Sequence, residues 1–315
     1  MTSVFRLGQL LRGKLGAYTI IEQLHKSIWL AVNQNGERVV IKSVRHFRLQ
    51  NECDILKHFQ ARTPSLRPLV DEIGDPSDPP ALVLKRLDDD LLHASATKKL
   101  TRPEVQYVTR KVLEALAVLH EDGYVHTDVK PDNVLVDYGP GNIRFTDAKL
   151  ADCGSTVPKD SGYALDGDVI GAPIFRSPEA HLQMRWSTAT DVWSLGTMAY
   201  EFALGRNWHI FKPDVPANDD HYELKILMRH HQFFGPFPLS YKEIADEDTL
   251  KILTYVMKGV PHEAMKPFQY VTDREITEED KAFIIKIMKL DPRDRPTAKE
   301  LLHDEWFQTE LAPLN

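Results

Sequence analysis

The sequence has few of the features that would place it outside ordinary globular proteins. Its 315 residues include two cysteines, Cys53 and Cys153, so a disulfide framework is excluded and a reducing compartment is expected. No apolar run reaches the length that spans a bilayer. Positive charge is not in excess, because the net charge is −7, and this argues against a nucleic-acid partner held by general positive charge. We expect a monomer of the cytoplasm or nucleus, with no direct nucleic-acid partner and no membrane partner.

Acidic side chains are missing from the first part of the chain. Glu22 is the first of them, and Arg6, Arg12 and Lys14 lie among leucines before it. Such a composition is found in organelle-targeting segments, and also in a basic arm that packs on a folded domain. We favour the second interpretation and assign residues 1–17 to an N-terminal arm.

Strand-like runs follow the arm. Residues 18–24, 27–32 and 38–44 are rich in β-branched side chains, and the Asn-Gly pair in "NQNGE" predicts a hairpin between the second run and the third. The segment "RLQNECDILKHF" has the apolar spacing of a helix. The sequence therefore predicts a small strand-rich lobe over residues 18–87.

Helical patterns dominate after Leu87. The first long helix is predicted to begin at Thr101, where Glu104 completes a capping box, and to end at Gly123. Further helical patterns occur in "STATDVWSLGTMAYEFAL", "HYELKILMRHHQ" and "ITEEDKAFIIKIMKL". We therefore assign residues 88–315 to a larger, mostly helical lobe.

The stretch "VHTDVKPDNVLVD" places three polar groups in a short loop between a helix and a strand. Asp128 can orient or deprotonate a hydroxyl, Lys130 can stabilise phosphoryl charge, and the amide oxygen of Asn133 suits Mg²⁺. A second carboxylate, Asp152, follows an apolar run and precedes Gly154. Each of these sites alone would also fit an ordinary solvated turn, so their combination carries the argument.

Together with other segments, these motifs resemble a protein kinase over residues 18–308. The segments are "VVIK" for the family's third strand, "NECDILK" for its helix partner, "HTDVKPDN" for the catalytic loop, "ADCG" for the Asp-Phe-Gly site, "FRSPE" for the Ala-Pro-Glu site, "DVWSLG" for the helix that anchors the catalytic loop, and "DPRDRPTAKELLHDEWF" for the closing segment. The resemblance implies an α+β, two-lobed protein kinase fold. Its small lobe is an antiparallel β-sheet with one helix, and its larger lobe is mostly helical.

The resemblance also implies ATP and Mg²⁺ as cofactors. Lys42 would hold the α- and β-phosphates and Glu52 would orient Lys42 through a charge-assisted bond. Asp152 and Asn133 would hold Mg²⁺. The adenine pocket would be lined by apolar residues that core packing would equally explain, with Leu84 at the gatekeeper place and the hinge running to Leu87. These residues are Ile28, Val40, Leu84, Leu87 and Leu135.

For the transfer step, the resemblance implies that Asp128 positions the acceptor hydroxyl and that Lys130 lies at the transferring phosphate. The lysine in "DVKPDN" is similar to that of serine/threonine kinases. Arg295 in the closing segment would pair with Glu179.

A closer resemblance is to the SR-protein kinases, a branch of the group that includes cyclin-dependent and mitogen-activated kinases. Thr127 stands where most kinases have arginine, and the segments "KRLDDDLL", "FRSPE" and "HYELKILMRHHQFFGPFP" point to the same branch. Without that arginine, no partner for a phosphorylated activation loop lies beside Asp128. We therefore predict activity without a phosphate between Ser155 and Ser177.

The largest departure from the family lies in the glycine-rich loop. Only His25, Lys26 and Ser27 are available where several glycines would curl over the phosphates, so the cradle of backbone N–H groups is largely lost. The earlier glycines in "GQLLRGKLGAY" lie too far before Lys42 for the usual hairpin, and we assign them to the arm. Lys26 would partly replace the missing N–H groups with charge.

Three single residues also depart from the family. Cys153 replaces the usual phenylalanine and is read as a small buried hydrophobe. Ala172 replaces a threonine that bridges the catalytic aspartate and lysine, which weakens acceptor positioning. Val40 replaces a small residue above adenine, which tightens the pocket.

Three functions compete on these grounds. The favoured one is an ATP-dependent serine/threonine protein kinase that transfers the γ-phosphate to protein hydroxyls. Acidic clusters at residues 88–90, 219–220 and 243–248 suit a basic, Arg-Ser-rich substrate. The alternative is a pseudokinase-like scaffold that binds nucleotide weakly because its glycine-rich loop is short. A small-molecule phosphotransferase is disfavoured by "SPEA" and "DVWSLG", which build a platform for protein substrates.

Overall fold

The structure is a computed structural model that describes residues 5–204, 209–272 and 276–308. The strands, in chain order, are β1 (Leu10–Gly13), β2 (Ala17–His25), β3 (Ile28–Asn33), β4 (Arg38–Ser43), β5 (Leu69–Asp75), β6 (Ala81–Lys85), β7 (Asp89–Asp90), β8 (Tyr124–Val125), β9 (Val134–Tyr138), β10 (Phe145–Leu150) and β11 (Val157–Pro158). The α-helices are α1 (Phe47–Phe59), α2 (Leu91–Thr97), α3 (Arg102–Glu121), α4 (Gly162–Leu165), α5 (Pro178–His181), α6 (Ala189–Leu204), α7 (Tyr222–Phe234), α8 (Glu247–Lys258), α9 (Glu278–Ile287) and α10 (Ala298–Leu302).

The chain divides into two compact units. The strand-rich unit comprises Met1–Asp90 and Leu135–Thr156, and the helical unit comprises Leu91–Val134 and Val157–Asn315. This division groups β9 and β10 with the N-terminal strands, whereas the sequence analysis assigned them to the larger lobe. The predicted lobe boundaries, 18–87 and 88–315, stay a prediction.

The sheet of the strand-rich unit closes into a barrel in the order β1-β2-β3-β4-β6-β5. The predicted strands and the hairpin between β3 and β4 are confirmed, and Gly36 provides the positive φ of 79° that this turn needs. Trp29 and Ile41 are fully buried in its core. They are register partners on β3 and β4, so their side chains lie on the same face of the sheet.

Strand β1 was not predicted, because its residues were assigned to the N-terminal arm. In the structure β1 pairs with both β2 and β5, and Leu11 is fully buried. The buried carboxylate of Asp71 on β5 holds the β1–β2 turn by accepting bonds from the backbone N–H groups of Leu15 and Gly16, at 2.9 and 3.2 Å, and from the hydroxyl of Tyr18, at 3.0 Å. Gly13 and Gly16, which were assigned to an arm packed on the fold, therefore lie at the turn between two paired strands.

One long helix, α1, belongs to the strand-rich unit, as predicted. It buries Leu49, Cys53, Leu56 and Phe59, the apolar face expected from their spacing. A small sheet of order β10-β9-β7 completes the unit. Strand β10 ends at Leu150, directly before the segment that contains Asp152.

The helical unit is built on α3, which contacts α6 and α10. Its apolar face, from Val105 to Leu119, is buried, and the backbone N–H of Thr101 donates to Glu104 at 2.7 Å, which supports the predicted helix start. Helices α6, α7 and α9 form where helical spacing predicted them. This framework supports the loop between β8 and β9, where the polar triplet lies.

Candidate active site

The strand-rich unit brings three predicted site residues into direct contact. The ammonium nitrogen of Lys42 on β4 lies 2.7 Å from Glu52 Oε2 on α1 and 2.8 Å from Asp152 Oδ1. The Glu52 side chain is 2% exposed, whereas that of Asp152 is 48% exposed. Burial by itself lowers the pKa of Lys42, but the two carboxylates outweigh it and raise that pKa, so the lysine stays charged. A charged lysine fixed by a buried glutamate is suited to binding phosphate oxygens.

Asp152 adopts a left-handed backbone conformation, with φ 60° and ψ 61°. The chain then forms a short 3₁₀ helix, Cys153–Ser155, that contacts α1. Cys153 is fully buried and burial raises the pKa of its thiol, which agrees with the prediction of a small buried hydrophobe. The backbone at Asp152 is strained, so its neighbours must hold it in place.

Asn51 on α1 was not singled out by the sequence analysis. Its side-chain amide donates to the carbonyl oxygens of Thr156 at 2.8 Å, Gly154 at 3.1 Å and Cys153 at 3.5 Å. The available signal was a polar residue directly before Glu52, but that position alone does not reveal where the side chain points.

The turn between β2 and β3 is as short as the sequence predicted. His25 and Ile28 are register partners, so only Lys26 and Ser27 join the two strands. No glycine lies in this turn, and the described backbone offers no row of glycine N–H groups there. The predicted part of Lys26 in replacing the missing N–H groups with charge stays a prediction.

The predicted adenine-pocket residues all lie in the strand-rich unit. Val40 and Leu84 are register partners on β4 and β6 and are buried, Leu87 is buried, and Ile28 and Leu135 are half-buried. Such burial fits both core packing and a nucleotide pocket, so their role in binding stays a prediction.

In the helical unit the polar triplet of the loop forms a second cluster. The Lys130 ammonium lies 2.9 Å from Asp128 Oδ2, and the Asn133 amide donates to the same oxygen at 2.9 Å and to the Asp128 carbonyl at 2.8 Å. Asn133 ends a short 3₁₀ helix, Pro131–Asn133, which Pro131 begins. The carboxylate is thereby oriented by a cation and an amide on neighbouring residues.

The backbone of this loop is anchored by Asp191 on α6, as the resemblance implied. This carboxylate is 1% exposed and accepts from the backbone N–H groups of His126 at 2.7 Å and Thr127 at 2.9 Å. His120 on α3 lies 2.9 Å away from it. Thr127 has a positive φ of 71°, which is rarely adopted by β-branched residues, so the anchor holds a strained turn directly before Asp128.

The predicted pair of Glu179 and Arg295 is confirmed. Its two charge-assisted bonds measure 2.6 and 2.8 Å, and both side chains are fully buried. The guanidinium also donates to three backbone carbonyls, those of Ala189, Lys289 and Leu290. A buried pair with its remaining protons bonded in this way ties α5 to the C-terminal segment.

Ala172 borders a small cavity beside Asp128. The cavity encloses roughly 190 Å³, including open solvent, and Thr127, Gly171 and Ser194 also line it. Gly171 has a φ of 60°, and a Cβ there would lie 2.8 Å from the Thr127 carbonyl oxygen. The chain therefore needs glycine at this position and leaves open the space next to Ala172, where the resemblance implied a missing threonine hydroxyl.

The candidate metal donors are oxygens. Asp152 supplies a half-exposed carboxylate and Asn133 an amide oxygen, both of the hard type that Mg²⁺ prefers. Among the described residues, no group of three or more His, Cys, Asp or Glu side chains forms a metal site. The binding of Mg²⁺ by Asp152 and Asn133 stays a prediction.

None of the helices that the structure describes is both long and apolar enough to cross a membrane. The expected absence of a membrane partner and the cytoplasmic or nuclear location stay predictions.

Comparison with known proteins identifies the family. The model of the protein kinase domain matches residues 12–307. A serine/threonine protein kinase of Aspergillus fumigatus is 24% identical over 348 aligned residues, which cover 96% of this chain and 86% of the relative. Mitogen-activated protein kinase 11 of Oryza sativa subsp. japonica is 24% identical, with 94% and 52% covered, and the mitogen-activated protein kinase HOG1 of Debaryomyces hansenii is 25% identical, with 87% and 67% covered. The chain belongs to the protein kinase family: it is a serine/threonine protein kinase with the α+β, two-lobed fold that its motifs implied.

Proposed function

We propose that this kinase transfers the γ-phosphate of Mg²⁺-bound ATP to serine or threonine hydroxyls with the residues predicted from its sequence. Lys42, oriented by Glu52, holds the phosphates, and Asp152 with Asn133 holds Mg²⁺, which neutralises charge on the transferring group. The observation that carries the proposal is the pair of contacts from Lys42 Nζ, 2.7 Å to Glu52 and 2.8 Å to Asp152. Lys42 contacts a buried glutamate and a half-exposed aspartate. The exposed part of the aspartate carboxylate can therefore bind a cation.

In the transfer step, Asp128 accepts the hydrogen bond of the incoming hydroxyl and aligns it for attack on the phosphate. Lys130, 2.9 Å from Asp128 Oδ2, adds positive charge beside the reacting group. The Asn133 amide fixes the carboxylate rotamer through its 2.9 Å bond. The proton of the hydroxyl passes to Asp128 as the bond from the hydroxyl oxygen to the γ-phosphorus forms and the bond from that phosphorus to the β–γ bridging oxygen breaks, which releases ADP.

We propose further that the activation segment needs no phosphate. Arg176, which is buried, donates to the carbonyls of Ile170 at 2.6 Å and Gly171 at 3.1 Å and pairs with Glu223 on α7 at 2.9 Å. Strand β11 pairs with β8, and the Lys159 N–H donates to Gly123 at 2.8 Å. These contacts hold both ends of the segment without a phosphate. Together with the threonine at position 127, where most kinases have arginine, they support activity without phosphorylation.

We also assign the chain to the SR-protein-kinase-like branch and propose a basic, Arg-Ser-rich substrate. Several acidic groups of the three clusters are already bonded within the described residues: Asp88 pairs with Arg86, Asp246 caps α8, and Asp248 pairs with Lys251. The support for a basic substrate is therefore the net charge of the chain, −7, which steers a basic peptide towards it at low ionic strength.

The test is a phosphate-transfer assay on purified protein made in a bacterial host without eukaryotic kinases. The variants Lys42→Met, Asp128→Asn and Asp152→Asn are each expected to lower the rate by about 100-fold or more, whereas Gln50→Ala, an exposed change on α1, leaves it unaltered. Binding of ATP is followed separately by its effect on thermal unfolding. A parent chain that binds Mg²⁺-ATP but transfers phosphate no faster than Asp128→Asn would establish the pseudokinase alternative.

Two further arms address the finer proposals. Phosphatase treatment is expected to leave the rate unchanged, and a rate that falls with loss of a phosphate between Ser155 and Ser177 contradicts the second proposal. An Arg-Ser peptide is expected to react faster than a matched acidic peptide, with an advantage that shrinks as salt rises. Equal rates on both peptides contradict the proposal of a basic substrate.

A further inference from the structure

Asn51 directs one amide group at three backbone carbonyls of the segment that follows Asp152. The bond to Thr156 is 2.8 Å, that to Gly154 is 3.1 Å, and the contact with Cys153 is 3.5 Å. An amide carries two N–H donors, so the two shorter contacts saturate it. Helix α1 thus holds the segment by a side chain that directly precedes Glu52.

The same segment also lies against the backbone of α1. A Cβ on Gly154 would be 3.1 Å from the Arg48 carbonyl oxygen and 3.3 Å from the Arg48 Cβ. Arg48 precedes Asn51 by three positions and so lies on the same helix face. Close approach and the Asn51 bonds therefore occur on one face of α1.

The apolar contribution to this attachment is small. Cys153 is the one apolar side chain of the 3₁₀ helix, and a cysteine buries much less area than the phenylalanine that the family places there. Asp152 meanwhile holds a left-handed conformation that stores strain. The hydrogen bonds from Asn51 must then hold the segment on α1, as the packing of an aromatic side chain at position 153 would otherwise do.

We propose that Asn51 is a positioning residue that sets Asp152 for metal binding. Asn51 fixes the backbone after Asp152, while its neighbour Glu52 fixes Lys42, whose ammonium lies 2.8 Å from the Asp152 carboxylate. Both constraints come from adjacent residues of α1, so a displacement of this helix moves the lysine and the aspartate together. The inference rests on the proposed role of Asp152 as a Mg²⁺ ligand.

The first test probes the attachment in nucleotide-free protein. Both cysteines are fully buried, Cys153 in the attached segment and Cys53 on α1 itself. In Asn51→Ala, alkylation of Cys153 by N-ethylmaleimide is expected to accelerate about tenfold, since two hydrogen bonds are lost, while alkylation of Cys53 is unchanged. Gln50→Ala is the matched control, because the amide of Gln50 bonds Asp54 on the same helix and not the segment.

The isosteric variant Asn51→Asp tests the same contacts in case Asn51→Ala does not fold. It keeps the shape of the side chain but replaces the N–H donor with a carboxylate that faces carbonyl oxygens. The alkylation rate of Cys153 is therefore expected to rise at least as much as in Asn51→Ala. Mass spectrometry of the two cysteine-containing peptides gives both rates from one sample. Cys153 rates that stay at the parent value in both variants overturn the attachment.

The second test concerns the metal. ATP binding is measured by calorimetry with Mg²⁺ and with EDTA, and phosphate transfer is measured across a Mg²⁺ titration. Asn51→Asp is expected to lose about tenfold in Mg²⁺-dependent ATP affinity while the affinity in EDTA and the KM for peptide stay the same. An increase in Cys153 labelling with an unaltered Mg²⁺ dependence overturns the positioning role. If the parent chain itself shows no Mg²⁺-dependent binding, the proposed function fails, and the labelling rates still decide whether Asn51 holds the segment.

Discussion

The two units of this kinase hold their charged groups by different means. In the strand-rich unit Lys42, Glu52 and Asp152 hold one another, and the aspartate remains 48% exposed. In the helical unit the loop around Asp128 is held by Asp191, a carboxylate that is 1% exposed and bonds to backbone N–H groups. The first arrangement includes a half-exposed carboxylate that can exchange its ammonium partner for a ligand, whereas the Asp191 anchor is buried and bonded to the backbone.

This difference suits the two tasks. Nucleotide and metal must enter and leave, so their binding groups should be ion pairs that can be remade. The acceptor-positioning loop needs a fixed geometry, because small displacements of reacting groups lower rates strongly. Three predictions bear on this contrast.

The largest expected effect is at the buried ion pair of the strand-rich unit. Lys42→Met removes activity and leaves the Glu52 carboxylate buried without a partner, which lowers the free energy of unfolding by about 3 kcal/mol. The double variant Lys42→Met/Glu52→Met replaces both charges by apolar side chains and is expected to recover most of the stability but none of the activity. Urea unfolding and phosphate transfer measure the two effects. A double variant no more stable than the single one would show that the pair itself stabilises the unit.

A smaller loss of stability, with a loss of rate, is expected at the anchor of the helical unit. Asp191→Asn keeps the shape but turns one acceptor oxygen into a donor that faces the N–H of His126 or Thr127. We expect unfolding to become easier by about 2 kcal/mol, with a lower kcat and an unchanged KM for ATP. Glu263→Gln, on an exposed residue, is the control. An equal change in both parameters would mean that the anchor does not act through Asp128 alone.

The smallest effect concerns the buried histidines, which among the described residues lie in the helical unit. His230 is fully buried beside Trp193 and Phe211, with ring centroids 4.9 and 4.4 Å away, and burial together with the nearby positive charge of Arg295 holds its pKa well below the ordinary value. Burial also lowers the pKa of His209 to about 3. Because the unfolded chain binds protons that the folded chain refuses, stability is full above about pH 6.5 and falls as pH drops from there towards about pH 3.

His230→Phe removes one such group and keeps an aromatic ring. We expect little change in stability near neutral pH and a shallower loss on acidification, by about 1.4 kcal/mol per pH unit below about pH 6. Urea unfolding over this range measures the slope, and His221→Gln, on a largely exposed histidine, should leave it unaltered. An unchanged slope in His230→Phe would mean that His230 does not contribute to the acid sensitivity.

The sequence predicted the elements and contacts that leave a local pattern. Strands β2 to β4 follow from β-branched runs, and the pair of Glu179 and Arg295 follows from motif order. Strand β1 was missed because its four residues are too few to show a periodicity, although it forms a local hairpin with β2. Asn51 was missed for a related reason: a polar residue on a helix says nothing about which distant carbonyls it meets.

The closure of the barrel by β1 decides how this part of the kinase can meet other proteins. A strand at the rim of an open sheet presents free N–H and C=O groups, which invite extended peptides and other copies of the chain to add on. Within the described residues, the six strands from β1 to β6 form a ring in which each has neighbours on both sides. Where β1 pairs with β2 and β5, a partner must therefore recognise side chains, because the backbone groups there are already paired.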